Sequence, residues 1–278
     1  YKERGFTSFD VVAKLRGILH ERKIGHTGTL DPEATGVLPI CIGNATKVCE
    51  LLTDKDKVYR TVMHLGITTD TQDMTGTVKE DRSREAALLK EQTVEAAILQ
   101  FVGDYEQIPP MYSALKVDGK KLYELAREGK TVERKARPVK IFDIRIEKIE
   151  LPEVTMTVSC SKGTYIRTLC HDIGMKLSVG GCMKELLRTK VGRFEIADSL
   201  TLTDLQKLKE EDRLAEAVLP VEEVFKELLE IRSDTEEMDK LLKNGNPFRS
   251  RAVKDVKNGD KFRVYHSDGT FIGVFKYD

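Results

Sequence analysis

Residues 26–47 read HTGTLDPEATGVLPICIGNATK, and this stretch contains the strongest signal in the chain. The glycines at positions 25 and 28 let the backbone turn tightly and let a large ligand approach it. Asp31 precedes Pro32, which disfavours a helical backbone at the aspartate. Two interpretations follow. Either Asp31 and Pro32 begin an ordinary helix, or the loop presents the Asp31 carboxylate for chemistry.

The segments around this loop predict helices and strands in irregular alternation. Thr7 and Ser8 can cap a helix whose apolar residues recur at helical spacing. Further helices are predicted at 81–101 and 166–173, and strands at 59–65, 142–146 and 154–160. The regular βαβ period of a doubly wound sheet is missing. We therefore predict an α+β fold, with a mixed, largely antiparallel central sheet and flanking helices.

The C-terminal part of the chain has a different pattern. Residues 219–230 are acidic and predict a helix, whereas the tail beyond them has alternating apolar residues. Asp268-Gly269 supplies the turn of a predicted β-hairpin in this tail. We predict a large domain at 1–230 and a small β-rich domain at 231–278.

The charges of the chain are balanced overall but unevenly distributed. With 46 basic and 46 acidic residues, the net charge of zero would by itself argue against a nucleic-acid partner. However, residues 113–140 contain nine Lys and Arg against four Asp and Glu, and residues 160–194 contain seven against two. Such zones are typical of an RNA-binding surface, although a basic zone alone can also be a solvated face.

The cysteines and histidines give no sign of a metal site. The five cysteines form no Cys-x-x-Cys pair, and the five histidines are scattered. No apolar run approaches the roughly 20 residues that would span a bilayer. We therefore expect a cytoplasmic protein with reduced thiols, no metal and no membrane segment.

Five segments, in order, resemble the motifs of the TruB family of tRNA pseudouridine synthases. They are GHTGTLDP at 25–32, LGITTDTQDMTG at 65–76, PPMYSALKVDGKKLYELAR at 109–127, GTYIRTL at 163–169 and LLRTKVG at 186–192. The resemblance runs from about residue 5 to residue 221. The tail after Ile231 is similar to the PUA-type RNA-binding module that ends members of the family.

The resemblance implies a role for each matching residue. Asp31 would be the catalytic nucleophile and Arg167 the partner of its carboxylate, since a buried carboxylate needs a fixed cation to stay ionised. The implied substrate-binding residues are His26, Lys47, Tyr59, Asp73, Tyr165, Arg167 and Leu186. An insertion at about 107–137 would clasp RNA through Lys120, Lys121 and Arg127. Without the motif, Arg167 could also lie on the surface of an amphipathic helix, and Tyr59 could be one more core aromatic.

The implied reaction is the isomerisation of a uridine in tRNA, at position 55 in the TΨC loop, to pseudouridine. It detaches uracil from C1′ of the ribose and rejoins it through C5, so it needs no cofactor. Asp31 would attack either C1′ or C6 of the flipped base, which is a form of covalent catalysis. The implied partner is the TΨC stem-loop of tRNA. No protein partner is implied, and we expect a monomer.

Two other functions remain open from the sequence. A guide-RNA-dependent synthase of the dyskerin type shares the aspartate loop, but such proteins use partner proteins and a guide RNA in place of the insertion. Alternatively, the chain could chiefly fold tRNA as a chaperone, with minor catalysis. The intact set of Asp31, Tyr59 and Arg167 argues only against a loss of catalysis.

Overall fold

The computed structural model describes residues 1–117, 119–249 and 255–278. Asp118, inside the predicted insertion, and residues 250–254, inside the predicted second domain, lie outside the described residues. The chain divides into two compact units, Tyr1–Lys209 and Glu210–Asp278. No helix in the described ranges is long and apolar enough to cross a membrane.

The first unit contains most of the helices and strands. Its strands are β1 (Ile24–His26), β2 (Thr35–Gly36), β3 (Ile40–Ile42), β4 (Lys57–Leu65), β5 (Ile67–Thr69), β6 (Val78–Asp81), β7 (Gly103–Gln107), β8 (Lys116–Val117), β9 (Lys120–Lys121), β10 (Arg137–Glu150), β11 (Glu153–Cys160), β12 (Gly181–Val191) and β13 (Phe194–Glu195). Its helices are α1 (Ser8–Leu19), α2 (Cys49–Thr53), α3 (Ser83–Ala86), α4 (Glu91–Leu99), α5 (Leu122–Arg127), α6 (Ile166–Lys176) and α7 (Leu202–Glu210). Two 3₁₀ helices span Gly43–Val48 and Ile196–Asp198.

A seven-stranded sheet forms the centre of this unit. Its order is β13-β12-β4-β11-β10-β7, with every pair antiparallel, while β2 pairs with β12 in parallel. The predicted α+β class and its mixed, largely antiparallel sheet are therefore confirmed.

One face of the sheet is buried because apolar residues alternate along its strands. On β4 and β11 the buried positions are Lys57, Tyr59, Thr61, Met63, Leu65, Val154, Met156, Val158 and Cys160. Ile166, Leu169, Cys170 and Ile173 of α6 belong to the same core, so the helix covers this face. Every second residue along the strands, and residues three and four apart along α6, thus form one apolar layer.

The first predicted helix is confirmed, and the second is wrong in its middle. At the start of α1, the Thr7 hydroxyl accepts from the Asp10 amide at 3.0 Å, and the Asp10 carboxylate accepts from the Thr7 amide at 2.8 Å. The segment 81–101 instead forms α3 and α4, because Lys90 adopts an extended backbone with φ −84° and ψ 134°. This break lets Leu89 and Val94 both pack on the core.

The predicted insertion occupies the chain between β7 and β10. It contains the short β8–β9 hairpin and α5. Met111, Leu122 and Leu125 are buried together in a small apolar cluster of their own. The insertion is thus a folded projection from the sheet, not an unstructured loop, in the part of it that the structure describes.

The second unit contains a 3₁₀ helix (Leu214–Ala217), α8 (Val221–Val224), β14 (Leu229–Arg232), α9 (Glu236–Lys243), β15 (Lys261–Tyr265) and β16 (Phe271–Lys276). β14 pairs with β15 in parallel, and β15 pairs with β16 as the predicted hairpin. The helix predicted at 219–230 is limited to α8, because β14 places Ile231 in the buried core of this unit. The predicted domain boundary after residue 230 falls inside β14, so the compact unit begins earlier than the sequence indicated.

Candidate active site

The Asp31 loop leaves β1, makes a turn and returns as β2. The Ala34 amide donates to the Asp31 carbonyl at 3.1 Å, and Thr35 then begins β2, so no helix starts at Pro32. The fully buried Lys2 donates from Nζ to the Pro32 carbonyl at 3.0 Å. The interpretation of Asp31 and Pro32 as a helix start is therefore wrong, and the loop holds the carboxylate at a fixed place.

Arg167 of α6 meets the Asp31 carboxylate with two nitrogens. Its Nε lies 3.0 Å from Oδ2, and its Nη2 lies 3.4 Å from Oδ1. The Arg167 side chain is only 6% exposed, while that of Asp31 is 37% exposed. Arg167 is therefore not a surface residue of an amphipathic helix, and Asp31 keeps an open side for a substrate.

Arg167 has further partners, through Nη1 and a second time through Nη2. Nη1 lies 3.6 Å from Oδ2 of Asp73 and donates to the Thr71 carbonyl at 3.1 Å. Nη2 donates to the Tyr112 carbonyl, at the root of the insertion, at 2.8 Å. A planar guanidinium with partners on each side cannot rotate freely, so the orientation of Arg167 towards Asp31 is fixed.

Asp73 is held by its own neighbours. Its Oδ1 accepts from the hydroxyls of Thr71 and Thr75, at 2.8 and 2.6 Å, and from the Thr75 amide at 2.9 Å. These bonds fix the orientation of the Asp73 carboxylate. Asp31, Asp73 and Arg167 thus form one charged network.

The electrostatics of the loop act on Asp31 in opposite directions. Burial raises the pKa of the Asp31 carboxyl above its ordinary value of 3.8. The Arg167 cation counteracts that rise, whereas the negative charge of Asp73 adds to it. The outcome is a carboxylate with a raised pKa and therefore greater basicity than an exposed aspartate.

A cavity of about 210 Å³ opens beside the carboxylate. It is lined by Arg4, Asp31, Glu33, Ala34, Asp73, Met74, Thr75, Met183, Lys184 and Leu186. Leu186 and Met183 supply apolar walls, while Arg4 and Lys184 supply cations. The cavity brings an apolar surface, the Asp31 carboxylate and charged side chains of both signs together in one place.

Tyr59 lies in the core behind the loop. It is 7% exposed and belongs to the same apolar cluster as Leu30 and Ala34 of the loop. Burial raises the pKa of its phenol, and the cation of Arg188 counteracts this. Tyr59 is thus a buried neighbour of the loop and not part of the cavity lining.

Tyr165 is the residue that precedes α6, and its backbone is fixed by a residue that the sequence did not identify. Gln107, which is 1% exposed, accepts from the Tyr165 amide at 2.8 Å and donates to its carbonyl at 3.0 Å. Burial raises the pKa of the Tyr165 phenol. Gln107 thereby fixes the start of the helix that presents Arg167.

Two further predicted site residues, His26 and Lys47, lie outside the cavity lining, as Tyr59 and Tyr165 do. His26 ends β1, is half-buried, and burial lowers the pKa of its imidazole. Lys47 is exposed on the 3₁₀ helix Gly43–Val48. Neither residue lines the cavity beside Asp31.

Two of the three predicted RNA-clasping residues, Lys121 and Arg127, lie over one aromatic ring. Lys120 and Lys121 form β9, and Arg127 ends α5. Lys121 Nζ and Arg127 Cζ lie 5.3 and 5.4 Å from the ring centroid of Tyr123. The insertion therefore presents positive charge next to an aromatic face, a combination that suits single-stranded or looped RNA. Tyr123 was not identified from the sequence, although its spacing from Lys121 and Arg127 could have indicated it.

Sequence comparison relates most of the chain to known proteins. A profile described as TruB family pseudouridylate synthase (N terminal domain) matches residues 16–166, and one described as tRNA pseudouridylate synthase B C-terminal domain matches residues 167–226. The chain is 52% identical to the tRNA pseudouridine synthase B of Lachnoclostridium phytofermentans, covering 100% of this chain and 94% of that protein. It is 44% identical to the protein of the same name from Staphylococcus aureus, with 97% and 89% covered.

Structure comparison gives a related result. The chain is similar to a protein in the structure of an H/ACA RNP bound to a substrate RNA containing 2′-deoxyuridine, with a TM-score of 0.73 and 26% identity. That match covers 99% of this chain and 75% of the other. A chain of a Cbf5-Nop10-Gar1 complex gives a TM-score of 0.71 with 28% identity, covering 99% and 76%.

Proposed function

This chain belongs to the TruB family of tRNA pseudouridine synthases, and on this premise we propose that Asp31 is the nucleophile that isomerises the uridine at position 55 of the TΨC loop. The protein is an isomerase that converts uridine in tRNA to pseudouridine. The nucleophile and the position in tRNA are the steps that we add.

One observation carries the proposal for Asp31. Its carboxylate borders the cavity on one side and is held on the other by two nitrogens of the buried Arg167, at 3.0 and 3.4 Å. A nucleophile needs both an open approach and a fixed orientation. Asp73 also borders the cavity, but three hydrogen bonds occupy its Oδ1.

The reaction can be written with these groups. The bond between C1′ and N1 of the uridine breaks, a bond between C1′ and C5 forms, and the proton at C5 is replaced by one at N1. Asp31 attacks C1′ or C6, and in either route it leaves again, so the carboxylate is regenerated. Arg167 holds that carboxylate in its ionised form before the attack and receives it afterwards.

The base must leave the RNA stack before Asp31 can reach it, at a cost on the order of a few kcal/mol. We propose that Leu186 forms a wall of the uracil pocket and that Tyr59 supports the base from the core. His26, which lies outside the cavity, is proposed to fill the vacated stack in the RNA. Lys47 and Tyr165 are proposed to contact the RNA around the pocket.

Binding of tRNA would offset the cost of base flipping. We propose that Lys120, Lys121 and Arg127 grip phosphates of the TΨC stem-loop, and that the second unit acts as a PUA-like RNA-binding module. A cytoplasmic, monomeric enzyme that works without protein partners remains our prediction. Identity of 52% over the whole chain to a named tRNA pseudouridine synthase B, together with the folded insertion, favours this function over a guide-dependent one.

One assay tests the proposal. Purified protein alone is incubated with unmodified tRNA transcript, and pseudouridine is mapped at single-nucleotide resolution. We expect one modified site in the TΨC loop for the wild type and none for Asp31→Asn. Modification elsewhere would refute the proposed position, and modification that required a guide RNA would favour the dyskerin-type alternative. Binding and refolding of tRNA without modification would favour the chaperone.

A further inference from the structure

Arg188 is a buried cation that the reaction described above does not use. It lies on β12 and is only 1% exposed, which makes it one of the largest fully buried side chains of the protein. In the part of the chain that the structure describes, no carboxylate forms an ion pair with it. Because arginine stays charged under all ordinary conditions, neutral groups must stabilise this charge.

The neutral groups are main-chain carbonyls on both sides of Asp31. Nε of Arg188 donates to the Val37 carbonyl at 2.8 Å. Nη1 and Nη2 lie 3.4 Å from the carbonyls of Thr29 and Gly28, respectively. One guanidinium therefore joins the segment before the carboxylate to the segment after it.

The main chain of Arg188 grips the same loop. Arg188 pairs with Gly36 in the parallel β2–β12 ladder, and its carbonyl accepts from the Val37 amide at 2.8 Å. The approach at Gly36 is so close that a Cβ there would lie 2.1 Å from the Arg188 carbonyl oxygen. Gly36 also has φ +113°, which other residues rarely adopt. The main chain of Arg188 is thus in direct contact with the loop that follows Asp31, at Gly36 and Val37.

Arg188 also faces Tyr59. The two residues are direct partners in the β4–β12 ladder, so their side chains point to the same face of the sheet. Tyr59 belongs to the same apolar cluster as Leu30, the residue immediately before Asp31. Arg188 therefore lies where the loop and the buried aromatic ring meet.

We propose that Arg188 is a positioning residue for the pseudouridine synthase reaction, whose guanidinium holds the Asp31 loop in register with Tyr59. The inference rests on the proposed role of Asp31. Arg188 touches neither the base nor the reacting atoms, and it acts through the loop. Its planar fork suits three carbonyls in different directions, which the single ammonium of a lysine cannot reproduce.

A purely structural role makes a different prediction. If Arg188 had only a structural role, its replacement by Met would lower the thermal midpoint, because the carbonyls of Gly28, Thr29 and Val37 would lose a donor, but the folded protein would keep its rate. A displacement of about 1 Å at a reacting group, by contrast, can lower the rate about 100-fold. Arg188→Met should therefore lower the rate of the folded protein, and not only its thermal midpoint.

Lys57 offers a matched control. It is 7% exposed, lies on β4, and donates from Nζ to the carbonyls of Thr53, the last residue of α2, and of Lys55 in the segment that follows, which holds no proposed catalytic residue. Lys57→Met removes a buried cation that binds carbonyls, as Arg188→Met does. Of the two variants, only Arg188→Met removes contacts with the Asp31 loop.

The experiment compares the wild type with Arg188→Lys, Arg188→Met and Lys57→Met. For each we would measure the single-turnover rate constant at saturating tRNA, the Kd for tRNA and the thermal midpoint. We expect rates at least about tenfold lower for Arg188→Lys and about 100-fold lower for Arg188→Met, with each Kd within about threefold of the wild type. Lys57→Met should keep a wild-type rate.

Three results would overturn the proposal. They are a wild-type rate for Arg188→Lys, an equal loss of rate in Lys57→Met and Arg188→Met, and a loss confined to tRNA binding. If Arg188→Met does not fold, Arg188→Lys keeps the buried charge and decides the question. Failure of the proposed function would look different, since the wild type itself would then form no pseudouridine, or Asp31→Asn would remain active.

Discussion

Asp31 and Asp73 share one cation: Arg167 lies 3.0 Å from Oδ2 of Asp31 through Nε and 3.6 Å from Oδ2 of Asp73 through Nη1. Two carboxylates and one guanidinium leave the group with an excess negative charge in a largely buried place. An excess of negative charge favours protonation, so it raises the pKa of a carboxyl in the group. Arg167 favours the ionised form of Asp31, whereas the negative charge of Asp73 raises the pKa of Asp31 and so makes its carboxylate more basic.

The first prediction concerns the nucleophile itself. Asp31→Asn keeps the size of the side chain but removes its negative charge and nucleophilicity. We expect the single-turnover rate to fall by about 10⁴-fold or more, while the Kd for tRNA changes little. Rate measurement with mapped pseudouridine decides this, and a variant that retained a tenth of the original rate would exclude Asp31 as the nucleophile.

The second prediction concerns the fork of Arg167. Arg167→Lys keeps the charge, but an ammonium cannot meet both oxygens of Asp31 while also binding the carbonyls of Thr71 and Tyr112. We expect a rate at least about 100-fold below the wild type. Near-normal turnover would show that charge alone suffices.

A control for this change exists on the sheet. Arg60 forms another arginine–carboxylate pair, with Nε 2.8 Å from Oε2 of Glu147, and its side chain is 46% exposed. Arg60→Lys makes the same chemical change at a solvent-exposed position, where an ion pair contributes little to stability. The rate of Arg60→Lys should equal that of the wild type.

The third prediction concerns the pH dependence of the rate. Asp31 must be ionised to attack, so activity is lost as pH falls through its pKa, which burial raises above 3.8. Asp73 contributes to that rise. Asp73→Asn removes this like charge, so the pKa of Asp31 falls and the acid limb of the single-turnover rate should move to lower pH. A shift of the limb to higher pH would contradict the electrostatic role of Asp73.

The sequence predicted the charged residues of this site better than their supports. Asp31, Asp73 and Arg167 stand in ordered motifs, and the structure brings them into one network. The contacts of Arg167 with the carbonyls of Thr71 and Tyr112 had no such signal, because every residue type has a carbonyl. The clamp of Gln107 on Tyr165 was missed for a similar reason: its partners are main-chain atoms.

Local patterns predicted elements well where the neighbours agreed with them. The cap at Thr7 and the alternation along β4 needed no tertiary information. The break of the helix at Lys90 and the strand at 229–232 did, since each serves the packing of a core that is assembled from distant parts of the chain. Pairing with β15 overrides the helical pattern at the start of β14, as tertiary context commonly does.

The fourth prediction concerns the second unit and low pH. Asp239 of α9 binds the Ser267 hydroxyl at 2.6 Å and Nδ1 of His266 at 2.9 Å, and these bonds hold the pKa of its carboxyl well below 3.8. A carboxyl whose pKa is lower in the folded than in the unfolded protein stabilises the fold at pH values above the unfolded pKa. This stability is lost as the pH falls from the unfolded pKa towards the folded one. Thermal unfolding of the full chain should show this loss below about pH 4 in the wild type but much less in Asp239→Asn. Equal acid sensitivity of both proteins would contradict the assignment.

The fifth prediction concerns the insertion. Lys120, Lys121 and Arg127 are proposed to contact phosphates, so binding should weaken strongly with salt although the net charge is zero. Each lost phosphate contact reduces the log–log slope by roughly 0.9 for a duplex. Changing all three residues to alanine should therefore flatten the slope of Kd against salt by about two to three and weaken binding at low salt. Thermal stability should stay close to the wild type, because Lys120 and Arg127 are exposed, Lys121 is half-buried, and charges at the surface contribute little to folding.

A matched triple variant separates this local effect from a change in total charge. Arg84, Lys90 and Lys148 are exposed and lie outside both basic zones. Their change to alanine also removes three positive charges. If the protein attracted tRNA only through its overall charge, the slope of Kd against salt would flatten equally in both variants. We expect the control to keep the wild-type slope because counterion release depends on the phosphates that are contacted. Equal slopes in the two triple variants would mean that the basic zone of the insertion is a solvated face and not a clasp.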